Sequence, residues 1–329
     1  VVAERPRQPK PGPAPALQHA VRVETVDAER AGQRLDNFLA TRMKGVPKAA
    51  VYRMLRTGQV RVNGKRAQPD TRLAGGDEVR IPPFQALAPG ALAPPSESLR
   101  DTLAARVLRE DGELIVLDKP SGLAAHGGSG VSLGAIEAMR ALRPDLEIEL
   151  VHRLDRETSG LMLMAKKHSA LRRLQALIRE GRVEKHYLAL VKGEPARERF
   201  EVKAALAKNL LRGGERMVEV DEDQGKPSIS RFRVIERFPG AALVDVQILT
   251  GRTHQIRVHA AHAGHPLAGD SKYGDDEFNK RMRSAGLKRL FLHAHSLRFP
   301  WGGEGEEMLL SAPLPTELRA VLDKLGQGA

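Results

Sequence analysis

The sequence predicts an α+β protein in two parts: a small N-terminal α/β domain and a larger domain built on a mixed, largely antiparallel sheet. Three observations lead there. A Pro- and Ala-rich stretch over residues 83–99, holding Pro83, Pro89, Pro94 and Pro95, separates two patterned regions and reads as a semi-extended linker. Before it, two short helical patterns lead into a hairpin signal. After it, strands alternate with helices, but several follow one another through short turns, which favours antiparallel pairing. A length of 329 residues suits one large domain and one small one.

Residues 1–18 are rich in Pro, Ala and Arg without periodicity and read as a disordered basic tail. The chain begins at Val1 rather than Met, so a few residues are expected to precede it. The small domain is expected over 19–82. Arg34-Leu35-Asp36-Asn37-Phe38-Leu39 opens a helix that ends near Lys44-Gly45. Pro47 suits the first turn of a second helix, in which Val51, Met54 and Leu55 recur at helical spacing and which Gly58 closes. Residues 59–62 then read as a strand, and Asn63-Gly64 is a hairpin turn, because both residues tolerate the positive φ of a two-residue loop. Residues 76–81 return as a strand.

The large domain is expected over 100–329. Leu114-Ile115-Val116-Leu117 is a buried-strand run that delivers Asp118-Lys119-Pro120-Ser121-Gly122 and a glycine-rich loop with His126. Residues 147–151 and 161–165 read as strands on either side of His152-Arg153-Leu154-Asp155-Arg156-Glu157-Thr158-Ser159-Gly160. Residues 169–180 carry Leu171, Leu174, Leu177 and Ile178 on one helical face, between a serine start and a glycine stop at Gly181. Residues 184–190 form the next strand and hold Tyr187. Residues 243–249 alternate and deliver Thr250-Gly251-Arg252-Thr253-His254-Gln255-Ile256-Arg257-Val258-His259. Thr253 is expected to cap a helix starting at His254, which sets Arg257 near its first turn. No fixed-period repeat runs through the domain.

Composition narrows the function. Hydrophobic residues make up 41%, enough for a real core. No apolar run is long enough to span a membrane, and no signal-peptide pattern is present. The absence of cysteine excludes disulfides and thiol catalysis and fits a reducing cytoplasm. A net charge of +12 and a pI near 10.1 favour a polyanionic partner, most simply nucleic acid. Residues 19–82 hold 13 Lys and Arg against 7 Asp and Glu, so half of the net charge sits in about a fifth of the chain.

The chemistry points to Asp155. The run 152–160 sets one carboxylate in a tight polar turn with an arginine on either side. Neighbouring cations favour the ionised form, and an ionised carboxylate held in a turn is a candidate nucleophile or base. Arg-Leu-Asp-Arg alone is equally an ordinary solvated turn with surface ion pairs, so the full nine-residue run carries the argument. Six histidines crowd residues 254–295: His254, His259, His262, His265, His293 and His295. His293-x-His295 puts two rings on one strand face, but Phe291, Leu297 and Phe299 share it, and no recognised carboxylate spacing accompanies it. No metal site is expected.

The whole run 152–160, the Lys185-His186-Tyr187 segment, the run 250–259 and its continuation through Gly269-Asp270-Ser271-Lys272-Tyr273-Gly274 resemble the signatures of the large ribosomal and transfer RNA pseudouridine synthase family. Residues 118–122 are similar to that family's first motif, a largely structural part of its cleft. Residues 20–82 resemble the small S4-like RNA-binding domain through their Arg-Leu-Asp-x-Phe-Leu and Gly-x-Val-x-Val-Asn-Gly segments. Gly45-Val46-Pro47-Lys48, Ala141-Leu142-Arg143-Pro144 and the Arg289–Ala294 phrase narrow the resemblance to members that act on large-subunit ribosomal RNA.

The resemblance implies an S4-like domain followed by a pseudouridine synthase domain. It implies isomerisation of uridine to pseudouridine in large-subunit (23S) ribosomal RNA or its assembly precursor, with no cofactor. Asp155 is then the catalytic residue. Arg153 helps to flip the base and fills the gap, Tyr187 and Ile256 lie against the extruded uracil, and Arg257 pairs with Asp155. The residues leave three routes open for Asp155: attack on C1′, addition to C6, or proton removal from C2′. Arg34, Lys48, Arg53, Arg56, Arg61 and Lys65 are the expected phosphate contacts of the small domain. Such contacts position RNA without reading its sequence. Glu157 departs from the family's usual aspartate but keeps the charge. No membrane or metal partner is implied, and a monomer suffices. Alternatives from other classes are a non-catalytic ribosome-assembly factor with an idle Asp155, a family synthase acting on another RNA, and a metal-dependent nuclease built on the histidines.

Removing residues 1–82 should weaken RNA binding and flatten the slope of log affinity against log salt, because fewer phosphates are then neutralised. Filter binding over a salt series measures both; an unchanged affinity and slope would mean that the small domain is not the RNA clamp.

Overall fold

The computed structural model describes residues 16–43, 46, 48–87, 95–127, 133–210 and 216–327. The chain divides into two units, Val1–Pro94 and Pro95–Ala329. In the first, β1 (Ala16–His19) and β2 (Arg22–Thr25) precede α1 (Leu35–Arg42) and α2 (Lys48–Arg56). The strands β3 (Arg61–Val62), β4 (Lys65–Arg66), β5 (Glu78–Ile81) and β6 (Phe84–Leu87) follow. A four-stranded sheet runs β2-β5-β3-β4. Leu35, Phe38 and Leu39 of α1 and Val51 and Leu55 of α2 pack with Val60, Val79 and Ile81 in its core. The β3–β4 turn has Asn63 at φ 48° and Gly64 at φ 74°, the pair of positive angles that the dipeptide predicts. Asn63 also accepts from Glu78 N–H at 2.8 Å and donates to Asp77 at 2.8 Å, which ties the turn to β5.

Two expectations need correction here. The tail predicted over 1–18 lies outside the described residues up to 15, and Ala16–His19 is a strand. The linker predicted over 83–99 contributes that strand's partner: β1 pairs antiparallel with β6, His19 opposite Phe84, their rings stacked at 4.5 Å. Backbone pairing needs only two extended segments brought side by side, so Pro and Ala content did not reveal it. Residues 88–94 lie outside the described residues, and a helix begins at Glu97.

The second unit holds α3 (Glu97–Ala105), β7 (Val107–Glu110), β8 (Leu114–Lys119), α4 (Ala135–Leu142), β9 (Glu149–Leu150), β10 (Ser159–Ala165) and α5 (His168–Arg179). After these come β11 (Glu184–Lys192), β12 (Arg199–Lys203), β13 (Leu206–Leu210), β14 (Arg216–Val220), β15 (Ile229–Phe238) and β16 (Ala241–Ile248). The chain closes with α6 (Gln255–His262), α7 (Asp276–Ser284), β17 (Leu292–Pro300), β18 (Glu307–Ser311) and α8 (Thr316–Gly326). The main sheet has 10 described strands in the order β12-β15-β16-β11-β17-β10-β8-β7, with β18 on β17 and β9 on β10. Every described pairing in it is antiparallel except β10 with β17. The fold is therefore α+β on a mixed, largely antiparallel sheet.

Both faces of this sheet are covered. On one, Ile115, Leu117, Met162, Met164 and Val246 pack under α4 and the first turns of α6. On the other, Leu114, Val116, Leu161 and Leu163 pack under Leu171, Leu174 and Leu177 of α5, while α7 and α8 cover Leu190 and Leu243. A strand buried on both faces reads as an unbroken apolar run, which is why residues 114–117 and 161–165 show no alternation. α5 starts one residue before its predicted serine, with Lys167 at the cap and no side-chain capping bond.

The parallel joint is close. Ser159 sits opposite His293 and Gly160 opposite Ala294. Gly160 has φ 106°, and a Cβ there would fall 2.2 Å from the Ala294 carbonyl oxygen. Only glycine fits. His293 is wholly buried beside it, Nδ1 3.0 Å from Ser159 Oγ and Nε2 3.3 Å from the Ala312 carbonyl. Burial pushes its pKa down to about 4, so the ring is neutral in the folded protein near pH 6.

This generates a pH dependence. Between about pH 6.5 and 4 the unfolded chain binds a proton at His293 that the folded chain refuses, so stability falls as pH falls through this window. The full loss is on the order of 3 kcal/mol. Urea unfolding of wild type and His293→Gln at pH 7 and pH 4.5 should show a shallower acid loss in the variant; equal losses would mean that His293 does not carry this part of the acid sensitivity.

Candidate active site

Asp155 lies on the loop between β9 and β10, which turns through a Thr158 N–H bond to the Asp155 carbonyl at 3.2 Å. The segment after β8 clamps that loop from beneath. Gly122 N–H donates to the Arg156 carbonyl at 2.8 Å, and Arg156 Nε returns a bond to the Gly122 carbonyl at 2.9 Å. Ser121 Oγ donates to the Glu157 carbonyl at 2.6 Å. Lys119, wholly buried, donates to the carbonyls of Pro120, Leu123 and Arg156 at 3.0, 2.8 and 3.2 Å. Burial pushes the Lys119 ammonium down to about 7, against the pull of the Asp155 charge. Lys119-Pro120-Ser121-Gly122 is thus the seat of the carboxylate loop.

Asp155 keeps 25% of its side chain exposed and opens into a cleft of about 110 Å³. Arg153, Tyr187, Ile256 and Arg257 line the same cleft. Tyr187 reaches it from β11, where it is buried against the main core, and that burial, with the Asp155 charge nearby, pushes its phenol well above the usual range. Ile256 and Arg257 come from the first turn of α6. The cap of that helix differs from expectation. His254, not Thr253, holds the N-cap position, at φ 53° and without a side-chain capping bond. Its Nδ1 lies 2.8 Å from Tyr273 Oη, and its Nε2 lies 3.9 Å from Asp155 Oδ2.

Arg257 is also repartnered. Instead of pairing with Asp155, it makes a bidentate bond to Asp270, 2.7 Å at both contacts, with Glu157 at 3.5 Å. The Arg257 and Asp270 side chains are 3% and 0% exposed, so each needs an opposite charge within bonding range. Burial works against the Arg257 charge, but Asp270 more than offsets it and holds the guanidinium above its ordinary value; Asp155 adds to that field from further away. Asp270 is in turn held below the usual carboxylate range, against burial, by Arg257 and the N–H groups of Lys272 and Tyr273. Asp270 was not a sequence candidate. Its signal was an acidic residue in the polar turn that follows a helix carrying an arginine.

Four of the clustered histidines have ordinary hydrogen-bond partners. His259 sits between Ser228 and Ser230 hydroxyls at 2.9 Å each, His265 bonds the Lys192 carbonyl at 2.9 Å, and His293 and His295 both bond the Ala312 carbonyl. Among the described residues no three potential ligands converge. In the first unit, Arg34 pairs with Asp36 at 2.8 Å, where Tyr52 also donates, and Arg61 donates to the Gly64 carbonyl at 3.0 Å. Arg53, Arg56 and Lys65 are exposed, and the Lys48 side chain lies outside the described residues.

Chemically, the cleft offers one accessible carboxylate, a flat aromatic wall and a buried cation behind it. It brings together residues from four separated segments of a basic chain. The comparisons follow the same lines. The RNA pseudouridylate synthase family model matches residues 113–262, and the S4 domain model matches residues 33–79. Ribosomal large subunit pseudouridine synthase C of Haemophilus ducreyi is 52% identical over 92% of this chain and 94% of its own. The protein of that name from Escherichia coli K12 is 51% identical over 93% of this chain and 97% of its own. Among solved structures, human RNA pseudouridylate synthase domain containing 4 aligns with a TM-score of 0.59 at 27% identity, over 70% of this chain and 96% of that one.

Breaking the Arg257–Asp270 pair should be costly. Asp270→Ala leaves a buried guanidinium without its carboxylate and should lower stability by roughly 3–5 kcal/mol, read from urea unfolding. An Arg257→Met, Asp270→Leu double variant should lose less than Asp270→Ala; the reverse order would show that the pair is not what holds this wall.

Proposed function

The chain belongs to the RNA pseudouridylate synthase family, and from that premise we propose that it isomerises particular uridines of large-subunit ribosomal RNA, with Asp155 as the catalytic carboxylate. The activity is that of an RNA pseudouridine synthase: the bond from uracil N1 to ribose C1′ breaks, the base turns, and C5 joins C1′ as its proton leaves and N1 gains one. The large-subunit substrate rests on relatives more than 50% identical over nearly their whole length and named for that activity. The observation that carries the site is the shared cleft of Asp155 and Tyr187, from a loop and a strand that another strand separates.

In this reading a uridine leaves its stack before a carboxylate reaches it. Arg153, exposed at the cleft mouth, takes the space that the base vacates. The uracil then lies between Tyr187 and Ile256, and stacking on an aromatic face holds it whatever the surrounding sequence. Asp155 acts on the sugar or base from the open side. Arg257, fixed by Asp270, supplies a positive field behind the carboxylate without hydrogen-bonding it. The exposed Arg53, Arg56 and Lys65 of the S4 domain serve the phosphate backbone, while Arg34 and Arg61 shape that domain through their internal bonds. The protein works as a monomer in the cytoplasm, where its substrate is made. No described helix is long and apolar enough to cross a membrane.

The test is pseudouridine mapping by carbodiimide adduct and primer extension. Protein-free large-subunit ribosomal RNA is incubated with wild type or Asp155→Asn, in chelator and without added cofactor. New stops with wild type alone are expected, together with loss of turnover of at least ~10³-fold in Asp155→Asn and RNA affinity within a few-fold of wild type. Full activity of the variant would remove Asp155 from the mechanism; stops on transfer RNA but not on this RNA would move the substrate.

A further inference from the structure

His254 was absent from the expected site, yet from the N-cap of α6 its ring comes within 3.9 Å of the Asp155 carboxylate. Only two described non-glycine residues have positive φ, Asn63 and His254. Asn63 answers to its hairpin turn. His254 has no such reason, and a side chain held in the left-handed region persists where the surroundings over-determine it. What that backbone achieves is an aim: Nδ1 turns to Tyr273 Oη at 2.8 Å and Nε2 turns to Asp155 Oδ2 at 3.9 Å.

Tyr273 decides which nitrogen holds the proton. Its hydroxyl accepts from Val218 N–H at 2.9 Å. A phenol has a single proton to give, and the one other described hydrogen-bond partner of this oxygen is His254 Nδ1. The network is satisfied when Tyr273 donates to Nδ1 and the imidazole proton sits on Nε2, facing the carboxylate. The other tautomer strands the phenol proton and turns the Nε2 lone pair on Asp155. Burial, reinforced by Arg257 and Lys272, lowers the pKa of His254 against the opposing pull of the Asp155 charge, which favours the neutral form with a single proton.

We propose that His254 is a positioning residue for the pseudouridine synthase reaction, with its proton fixed on Nε2 by Tyr273, and that it aims the Asp155 carboxylate through an Nε2–H bond that closes when the uridine is bound. The inference rests on the reading of Asp155 as the catalytic group. At 3.9 Å the contact is electrostatic; catalytic bonds in substrate-free sites are often long and tighten in the bound complex. Val218 lies on β14, so the β13–β14 hairpin is wired to the carboxylate through Tyr273 and His254.

The experiment compares wild type, His254→Gln, His254→Leu, Tyr273→Phe and Asp155→Asn on RNA bearing a mapped target uridine, by single-turnover rate and by RNA affinity. Gln and Leu are close in size and meet the same backbone strain, but only Gln carries a donor near the position of Nε2. His254→Leu should slow the chemical step by ~10–100-fold, the scale expected of a misaimed catalytic group, with affinity within about twofold. His254→Gln should recover to within about fivefold of wild type, and Tyr273→Phe should fall between them. Equal rates for Gln and Leu, or a wild-type rate for Leu, would overturn the proposal. An inactive Asp155→Asn beside a fully active His254→Leu removes only the role of His254, whereas an active Asp155→Asn removes the Asp155 reading itself. Circular dichroism melts of each variant separate misfolding from a lost hydrogen bond, and Tyr273→Phe tests the relay without touching the strained position.

Discussion

The site depends on the close parallel contact of β10 and β17. At Gly160 the two backbones approach so closely that no side chain fits between them. That contact sets where β10 begins, and the Asp155 loop is the segment that enters β10. β17 pairs on its other side with β11, with Tyr187 opposite Ala294, the residue that faces Gly160. One residue of β17 thus holds the carboxylate side of the cleft and the aromatic side in register. The neighbouring bonds from Ser159 to His293 and from Arg289 to Ser159 brace the joint with buried and half-buried polar groups that satisfy one another.

Much of this was legible because local chemistry reports local structure. Asn63-Gly64 specifies its turn through backbone sterics, and the unbroken apolar runs at 114–117 and 161–165 announce strands covered on both faces. Asp155, Tyr187, Ile256 and Arg257 were legible through motif resemblance, and the structure gathers them around one cleft. The partner of Arg257 was not. The sequence around an arginine gives no sign of which carboxylate it meets in the fold, and Asp270 wins because it is wholly buried and presents both oxygens to the guanidinium. His254 was read as a helix start; nothing in its neighbours predicts the left-handed backbone that brings its ring to Tyr273. The β1–β6 pair escaped notice for a related reason, since it joins two segments whose composition signals extended chain but no partner.

The charges of the chain's two units fall into two groups with different physics. Arg257 and Asp270 are dry and geometrically locked, so they act as a fixed field. Arg153 and the exposed arginines of the first unit stand in water, where each is screened within a Debye length and worth little alone. Under the proposed function, orientation of the reacting group belongs to the buried set, and capture of a polyanion belongs to the exposed one.

The strand order carries a consequence for biosynthesis. β10 and β11 are consecutive in the chain apart from α5, yet in the sheet they are not neighbours, because β17 lies between them. A ribosome has already delivered Asp155 and Tyr187 when residue 190 emerges, but the strand that spaces them arrives only with residues 292–300. Until then the two walls have no common frame, and direct pairing of β10 with β11 would be a register that the finished fold must avoid. Long-range insertion of this kind is slow relative to local pairing, and it makes catalytic competence a property of the completed chain. A nascent polypeptide, tethered beside the very class of RNA on which the mature protein is proposed to act, is kept inert by its own topology.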